Sequence, residues 1–246
     1  WVGDGFYYSR YPAPEGSALS AENTFHSVYF HRVGTPQSED ELVCRNDNEP
    51  NRYHFAGTTE DGKYVVLNTS TGTDGNSLHV KPLNQEGAEW APIVDGFTHH
   101  SSVVEHVNGK LYMLTDIDAP RYRLVAVDSA DPSNMALWSD VLPESEDLLE
   151  SVSVVGGQLW AIYLHNASNR VMRCDLDGSN AQVVDLPSEV GSVGGFGGKM
   201  DAQDLYYAFT SFTQPTAIDR LDIATGESSW WSMPEVAFDP SEFEAR

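Results

Sequence analysis

A pattern that recurs roughly every 45 residues constrains the fold of this chain more than any other feature. Each unit combines a β-rich run, a turn and a second β-rich run. In the last four units, a polar turn with Gly or Asp precedes alternating apolar and aromatic residues. Units of about 40–50 residues with several short strands each are typical of a β-propeller, a ring of small sheets called blades. The units begin with Asp4–Tyr11, His54–Ser70, Val103–Asp116, Val152–His165 and Phe196–Ser211.

The pattern predicts an all-β fold of five blades, built from antiparallel strands. Four blades are predicted to have four strands each, and the first lacks its innermost strand. A surface loop is expected at Tyr11–Phe25, and Ser145–Val152 is the best candidate for a helix. The predicted blades are residues 1–49, 50–95, 96–143, 144–187 and 188–234, and residues 235–246 are predicted to begin a linker.

Local signals place strands and turns within these blades. In the run Tyr64–Thr69, strict alternation puts Val65, Leu67 and Thr69 on one face of a strand. Hairpin turns are predicted where Gly can adopt a positive φ. These turns are Asp61–Gly62, Asn108–Gly109, Gly156–Gly157 and Asp177–Gly178.

The chain is strongly acidic, with 37 acidic residues, 14 basic residues and a net charge of −23. Such a charge disfavours nucleic acid and anionic membranes as partners. It has two interpretations, recruitment of cationic peptides or solubility in a salty environment, and the second is favoured. The chain starts at Trp1, so we expect that its beginning is missing, and both a cytoplasmic and a periplasmic location stay open.

Two cysteines, Cys44 and Cys174, stand far apart in the sequence, each in a strand-like run. A single disulfide between them is one interpretation. Two buried, reduced thiols are the favoured one, since structural disulfides are rare in cytosolic proteins. No CxxC or HxxxH spacing accompanies them, so they do not predict a zinc site.

Several longer motifs resemble the propeller domain of the prolyl oligopeptidase family. The run GTPQSED (Gly34–Asp40) is followed by EPNRYHFAGTTEDGKYVVLN (Glu49–Asn68). Near the other end stand LPSEVGSVGGFGG (Leu186–Gly198) and YYAFTSFTQP (Tyr206–Pro215). The resemblance covers essentially the whole chain, and the first and last of these motifs are its most specific parts.

This resemblance implies a serine endopeptidase that cleaves short peptides after proline. The family carries an α/β-hydrolase domain with a Ser–Asp–His triad, covered by a seven-bladed propeller that restricts access to the triad. This chain would hold about five of the seven blades, an open and incomplete ring. Its implied partners are proline-containing short peptides and the hydrolase domain of the same polypeptide.

The sequence itself shows no catalytic machinery. An α/β-hydrolase places its nucleophile in a GxSxG turn, which the sequence lacks, and in Gly191–Gly195 the serine stands at the wrong position. His99 and His100 with His106 are candidate metal ligands, but neighbouring strand residues point to opposite faces, so His99 and His100 would not converge easily. We therefore predict no catalytic residue, no metal site and no cofactor in this chain, which alone should be inactive.

The resemblance places Tyr53 and Thr73 at two wall positions of the pocket for the residue two places before the cleaved bond. Members of the family carry Met and Cys at these positions, so Tyr and Thr predict a more polar, aromatic wall. The alternative is that both are ordinary loop residues near a blade edge. Two other functions stay open, a non-catalytic binding propeller and an enzyme with its site in the propeller tunnel. No carboxylate or metal-ligand spacing favours the tunnel enzyme.

Overall fold

The computed structural model describes residues 1–13, 16, 19–237 and 243. Within these residues the chain forms nineteen strands in five antiparallel sheets, which confirms the all-β prediction. Two short 3₁₀ turns lie at Gln37–Glu39 and Met135–Leu137. None of the helical segments in the described residues is long and apolar enough to cross a membrane.

Each sheet is built from strands that are consecutive in the sequence. Sheet A contains β1 (Gly5–Arg10), β2 (Ser27–Arg32) and β3 (Glu41–Cys44). Sheet B contains β4 (Tyr53–Thr58), β5 (Tyr64–Ser70), β6 (Asn76–Pro82) and β7 (Ala91–Val94). Sheet C contains β8 (Ser101–Val107), β9 (Lys110–Thr115), β10 (Arg123–Asp128) and β11 (Ser139–Leu142). Sheet D contains β12 (Leu148–Val155), β13 (Gln158–His165), β14 (Ser168–Cys174) and β15 (Gln182–Val183). Sheet E contains β16 (Ser192–Gly197), β17 (Asp204–Thr210), β18 (Ala217–Asp222) and β19 (Ser228–Ser232).

The alternation predicted for β5 is confirmed. Val65, Leu67 and Thr69 are buried, and the residues between them are only partly buried.

The tight turn between β8 and β9 is explained by the two residues that form it. Asn108 and Gly109 have φ values of 50° and 79°, and both positive values match the twist of a two-residue hairpin.

Ser145–Val152, the best candidate for a helix, is not helical, because most of this segment belongs to β12. That strand pairs with β13 and has a register shift between Leu149 and Ser151, which marks a β-bulge. A bulge adds one residue to a strand and so interrupts its two-residue alternation. The interruption leaves Leu148, Leu149 and Val152 at spacings that resemble one face of a helix.

The chain divides into two compact units. The first comprises Trp1–Ile117 and Ala126–Ser139, and the second comprises Asp118–Val125 and the residues from Asp140 onward. The core of the first unit is aliphatic. Its fully buried side chains include those of Val28, Val65, Leu78, Leu111 and Met113.

The core of the second unit combines aliphatic side chains with several aromatic ones, among them Trp160, whose side chain is completely buried. Its indole Nε1 donates to the carbonyl of Val155 at 3.1 Å, and its ring lies 5.9 Å from that of Phe196. Phe196 in turn stacks on Tyr207 with ring centroids 4.5 Å apart. A bulge in β16 between Gly195 and Gly197 accommodates Phe196 at a φ of 55°, which places this aromatic ring in the core.

Candidate functional site

The candidate site lies at the end of sheet B where β4 begins and β5 ends. Tyr53 is the first residue of β4 and pairs with Ser70, the last residue of β5. The turn that follows, residues 71–75, carries Thr73, which is exposed. The side chain of Tyr53 is also exposed, to 40%. The fold thus brings both predicted pocket residues to one end of the same sheet with their side chains accessible.

Gly75 fixes the position of the turn that carries Thr73. Its φ is +131°, a conformation that L side chains rarely adopt. A Cβ at this position would lie 2.6 Å from the carbonyl oxygen of Phe97 and 2.7 Å from the backbone nitrogen of His99. The amide of Asn76 also donates to the carbonyl of His99 at 2.9 Å. The turn is therefore held tightly against the segment that leads into β8.

Tyr53 belongs to a group of rings that pack around the imidazole of His26. The imidazole of His26 lies 5.9 Å from the ring of Tyr53 and 5.0 Å from that of Phe55. Tyr11 packs edge-on against the same imidazole at 4.8 Å. Phe55, like Tyr53, is exposed, to 50%. These rings form an accessible aromatic surface of the kind that contacts apolar peptide side chains.

Two buried histidines support this surface. His26 is 8% exposed and His54 is 4% exposed. The backbone N–H of His54 donates to Nδ1 of His26 at 3.0 Å. Burial lowers the pKa of His26, and burial followed by repulsion from His26 and Arg52 lowers the pKa of His54. Both imidazoles are therefore neutral at neutral pH.

Cys44 and His54 form a close pair that does not activate the thiol. The Sγ of Cys44 lies 3.7 Å from Nδ1 of His54, which is also 3.1 Å from Oγ1 of Thr69. Burial raises the pKa of the Cys44 thiol. A protonated thiol beside a neutral imidazole is a poor nucleophile, because the thiolate is the reactive form.

The prediction of two buried, reduced thiols is correct for Cys174 but wrong about the burial of Cys44. Both cysteines are free, and Cys174 is buried, but Cys44 is only partly buried. The reason is that Cys44 ends β3, the outer strand of sheet A, where fewer neighbours cover it than in a central strand.

Two of the candidate metal-ligating histidines, His99 and His106, each contact a different aspartate. Nδ1 of His99 lies 3.2 Å from Asp116, and Nδ1 of His106 lies 2.7 Å from Asp61. In the part of the chain that the structure describes, no group of three or more metal-ligating side chains converges. These pairs connect strands and turns, which is a structural role.

Asp61 is the most fully bonded of these aspartates. It lies in the turn between β4 and β5 and accepts from Thr59 Oγ1 at 2.7 Å and from the backbone N–H of Lys63 at 3.1 Å, besides its contact with His106. Burial by itself would raise the pKa of Asp61, but the hydrogen bonds from His106, Thr59 and Lys63 outweigh it and lower the pKa to about 2. Asp61 and His106 are 45 residues apart, which is the length of one repeat. The repeat could therefore have predicted that these two residues come together.

We expect Asp61→Asn to lower the free energy of unfolding by about 1–2 kcal/mol at pH 7. A carboxylate whose pKa is depressed in the folded state stabilises the fold above its unfolded pKa, and this contribution is lost as the pH falls from about 4 towards 2. Urea unfolding of both proteins from pH 7 to pH 3 should show the difference shrinking. Asp95→Asn is the control, since Asp95 is 80% exposed and 3.9 Å from His79. An Asp61 effect that does not depend on pH would contradict this account.

Five successive sheets of short antiparallel strands, four of them four-stranded, are the blades of a β-propeller. The family model described as "Prolyl oligopeptidase, N-terminal beta-propeller domain" matches residues 1–234. The chain belongs to this family, which confirms the resemblance and the propeller fold. Blade boundaries and the linker stay predictions, and most of residues 235–246 lies outside the described residues.

The relatives include prolyl endopeptidases, prolyl oligopeptidases and dual-function macrocyclase-peptidases. A prolyl endopeptidase of Elizabethkingia meningoseptica is 38% identical over 99% of this chain. A solved prolyl endopeptidase structure superposes with a TM-score of 0.88 at 32% identity over 96% of this chain. Prolyl oligopeptidase B of Galerina marginata, solved with a bound 35mer substrate, superposes over 98% of this chain with a TM-score of 0.87 at 25% identity. In each case this chain spans 34% of the relative's length.

Proposed function

We propose that this chain is the substrate-filtering propeller of a serine endopeptidase that cleaves short peptides after proline. The observation that carries the proposal is the family match over residues 1–234, together with 38% identity to a prolyl endopeptidase. The chain spans only about a third of that relative, and its sequence has no GxSxG motif. The proposal therefore assigns the catalytic triad to a hydrolase domain outside these residues.

In this proposal the propeller contributes to substrate selection through the end of sheet B. The accessible rings of Tyr53 and Phe55 offer an apolar surface, and the Thr73 hydroxyl adds a hydrogen-bonding group beside it. The bound 35mer in prolyl oligopeptidase B of Galerina marginata supports a peptide ligand for the family. The net charge of −23 adds a preference for peptides without excess negative charge.

A cleavage assay with a short fluorogenic Gly-Pro peptide tests the proposal. It compares the 246-residue chain with a version that carries whatever the gene encodes before Trp1 and after Arg246. We expect cleavage only by the extended version. No cleavage by either version would favour a non-catalytic binding propeller. Cleavage by the short chain would show that its chemistry has been misassigned.

In the extended protein, we expect Tyr53→Ala to change the preference for the residue two places before the cleaved bond. The aromatic wall would be lost while the triad stays intact, so kcat/KM should fall about tenfold for peptides with a large apolar side chain there. A peptide series that varies this position measures the effect. Tyr206→Ala is the matched control, because Tyr206 is 41% exposed and lies on β17. An unchanged profile in Tyr53→Ala would remove Tyr53 from the site.

A further inference from the structure

In the described part of the chain, the same type of hydrogen bond joins successive sheets at three places. In each, a side chain at the start of a sheet's penultimate strand, or one residue before it in the case of His26, accepts from a backbone N–H at the start of the next sheet's first strand. Asn76 on β6 accepts from Ser101 on β8 at 3.0 Å, and Asn169 on β14 accepts from Val193 on β16 at 2.9 Å. Between sheets A and B, the acceptor is Nδ1 of His26, which accepts from His54 on β4 at 3.0 Å.

The three acceptors differ in their response to pH. The amide oxygen of asparagine accepts a hydrogen bond at any pH. An imidazole nitrogen accepts only while it is unprotonated, since both ring nitrogens of a charged histidine are donors. Once His26 takes up a proton at Nδ1, the backbone N–H of His54 faces another N–H and loses its acceptor.

We propose that His26 is a pH-dependent latch that positions Tyr53: its neutral imidazole holds the start of β4 against sheet A, and its protonation releases that contact. Tyr53 is the residue next to His54, and its ring lies against the His26 imidazole. The latch is a property of this chain, whereas its effect on peptide selection rests on the proposed function. His26 is thus a positioning residue for the candidate site.

The surroundings of His26 fit this role. Among the residues that the structure describes, the titratable and charged groups that face it are Tyr11, Tyr53 and His54, with Arg52 and Cys44 close to His54. Burial lowers the pKa of His26, so the folded state takes up its proton at a lower pH than the unfolded chain. The stabilisation is therefore complete above the unfolded pKa, near 6.5, and is lost as the pH falls below that value.

Amide hydrogen exchange by NMR tests the latch in the 246-residue chain. The amides of Ser101 and Val193 are internal references, because their acceptors are asparagines. As the pH is lowered from 8 to the lowest value at which the chain stays folded, we expect the protection factor of the His54 amide to fall about tenfold relative to the two references. In His26→Asn, which copies the acceptor of the other two joints, the ratio should stay constant.

A constant ratio in the wild-type chain would overturn the proposal. An equal fall in His26→Asn would also overturn it, because the titration of His54 itself would then be the cause. If His26→Asn does not fold, the ¹⁵N shifts of the His26 ring in the wild-type chain decide the matter. The latch predicts an unprotonated Nδ1 at pH 8 and a titration midpoint that coincides with the loss of His54 protection; a protonated Nδ1 at pH 8 would contradict it.

Discussion

Replacing Trp160 with alanine should lower the free energy of unfolding by about 3–5 kcal/mol. The indole is completely buried in the core of the second unit, where it contacts Phe196 and donates to the carbonyl of Val155. Its removal leaves a cavity that the stacked rings of Phe196 and Tyr207 cannot fill, and it leaves that carbonyl without its indole donor. Urea or thermal unfolding measures the loss.

Trp230→Ala is the matched control for this substitution. Trp230 lies on β19 and is 66% exposed, so the same chemical change removes little buried surface. We expect the free energy of unfolding to change by less than about 1 kcal/mol. Similar losses in Trp160→Ala and Trp230→Ala would contradict the burial of Trp160 in the core.

Gly75→Ala should also destabilise the fold, by more than about 2 kcal/mol. Its φ of +131° is unfavourable for alanine, and the new Cβ would meet backbone atoms of Phe97 and His99 at 2.6–2.7 Å. These neighbours are backbone atoms rather than the end of a flexible side chain, so they cannot easily move away from the new Cβ. The effect appears in the same unfolding experiments, and in the extended protein it should also disturb peptide selection, because Thr73 shares this turn.

Gly72→Ala provides the control within the same turn. Nothing lies within 4 Å of a Cβ at Gly72, and its φ is outside the range that strains an L side chain. We expect this substitution to be neutral or to stabilise slightly, by up to about 1 kcal/mol, since alanine restricts the unfolded chain. Equal destabilisation by both substitutions would show that the turn is not held as the structure indicates.

Much of the fold could be predicted because propeller blades are local in sequence. The alternation in β5 and the Asn108–Gly109 turn are decided by neighbouring residues, and both are found in the structure. The first half of β12 falls in the best candidate for a helix because its bulge interrupts the two-residue period on which strand prediction depends. A bulge depends on pairing with the next strand, which a local pattern does not contain.

The candidate site was less accessible to sequence reasoning. Tyr53 and Thr73 were identified only through resemblance to a family, and no periodicity marks them. His26 and His54 are 28 residues apart, and their contact arises only when sheet A packs against sheet B. Each histidine in isolation gives no hint of its partner. The Asp61–His106 pair could have been predicted from the sequence, because its spacing equals the length of one repeat.

The proposed filtering role, restriction of a prolyl endopeptidase to short peptides, has one most direct test. The extended protein is given one Gly-Pro segment in two forms, as a short peptide and within an exposed loop of a folded protein. A nonselective protease that cleaves both forms serves as the control for accessibility. We predict that the extended protein cleaves the peptide and leaves the folded protein intact. Comparable cleavage of both forms would contradict the filtering role.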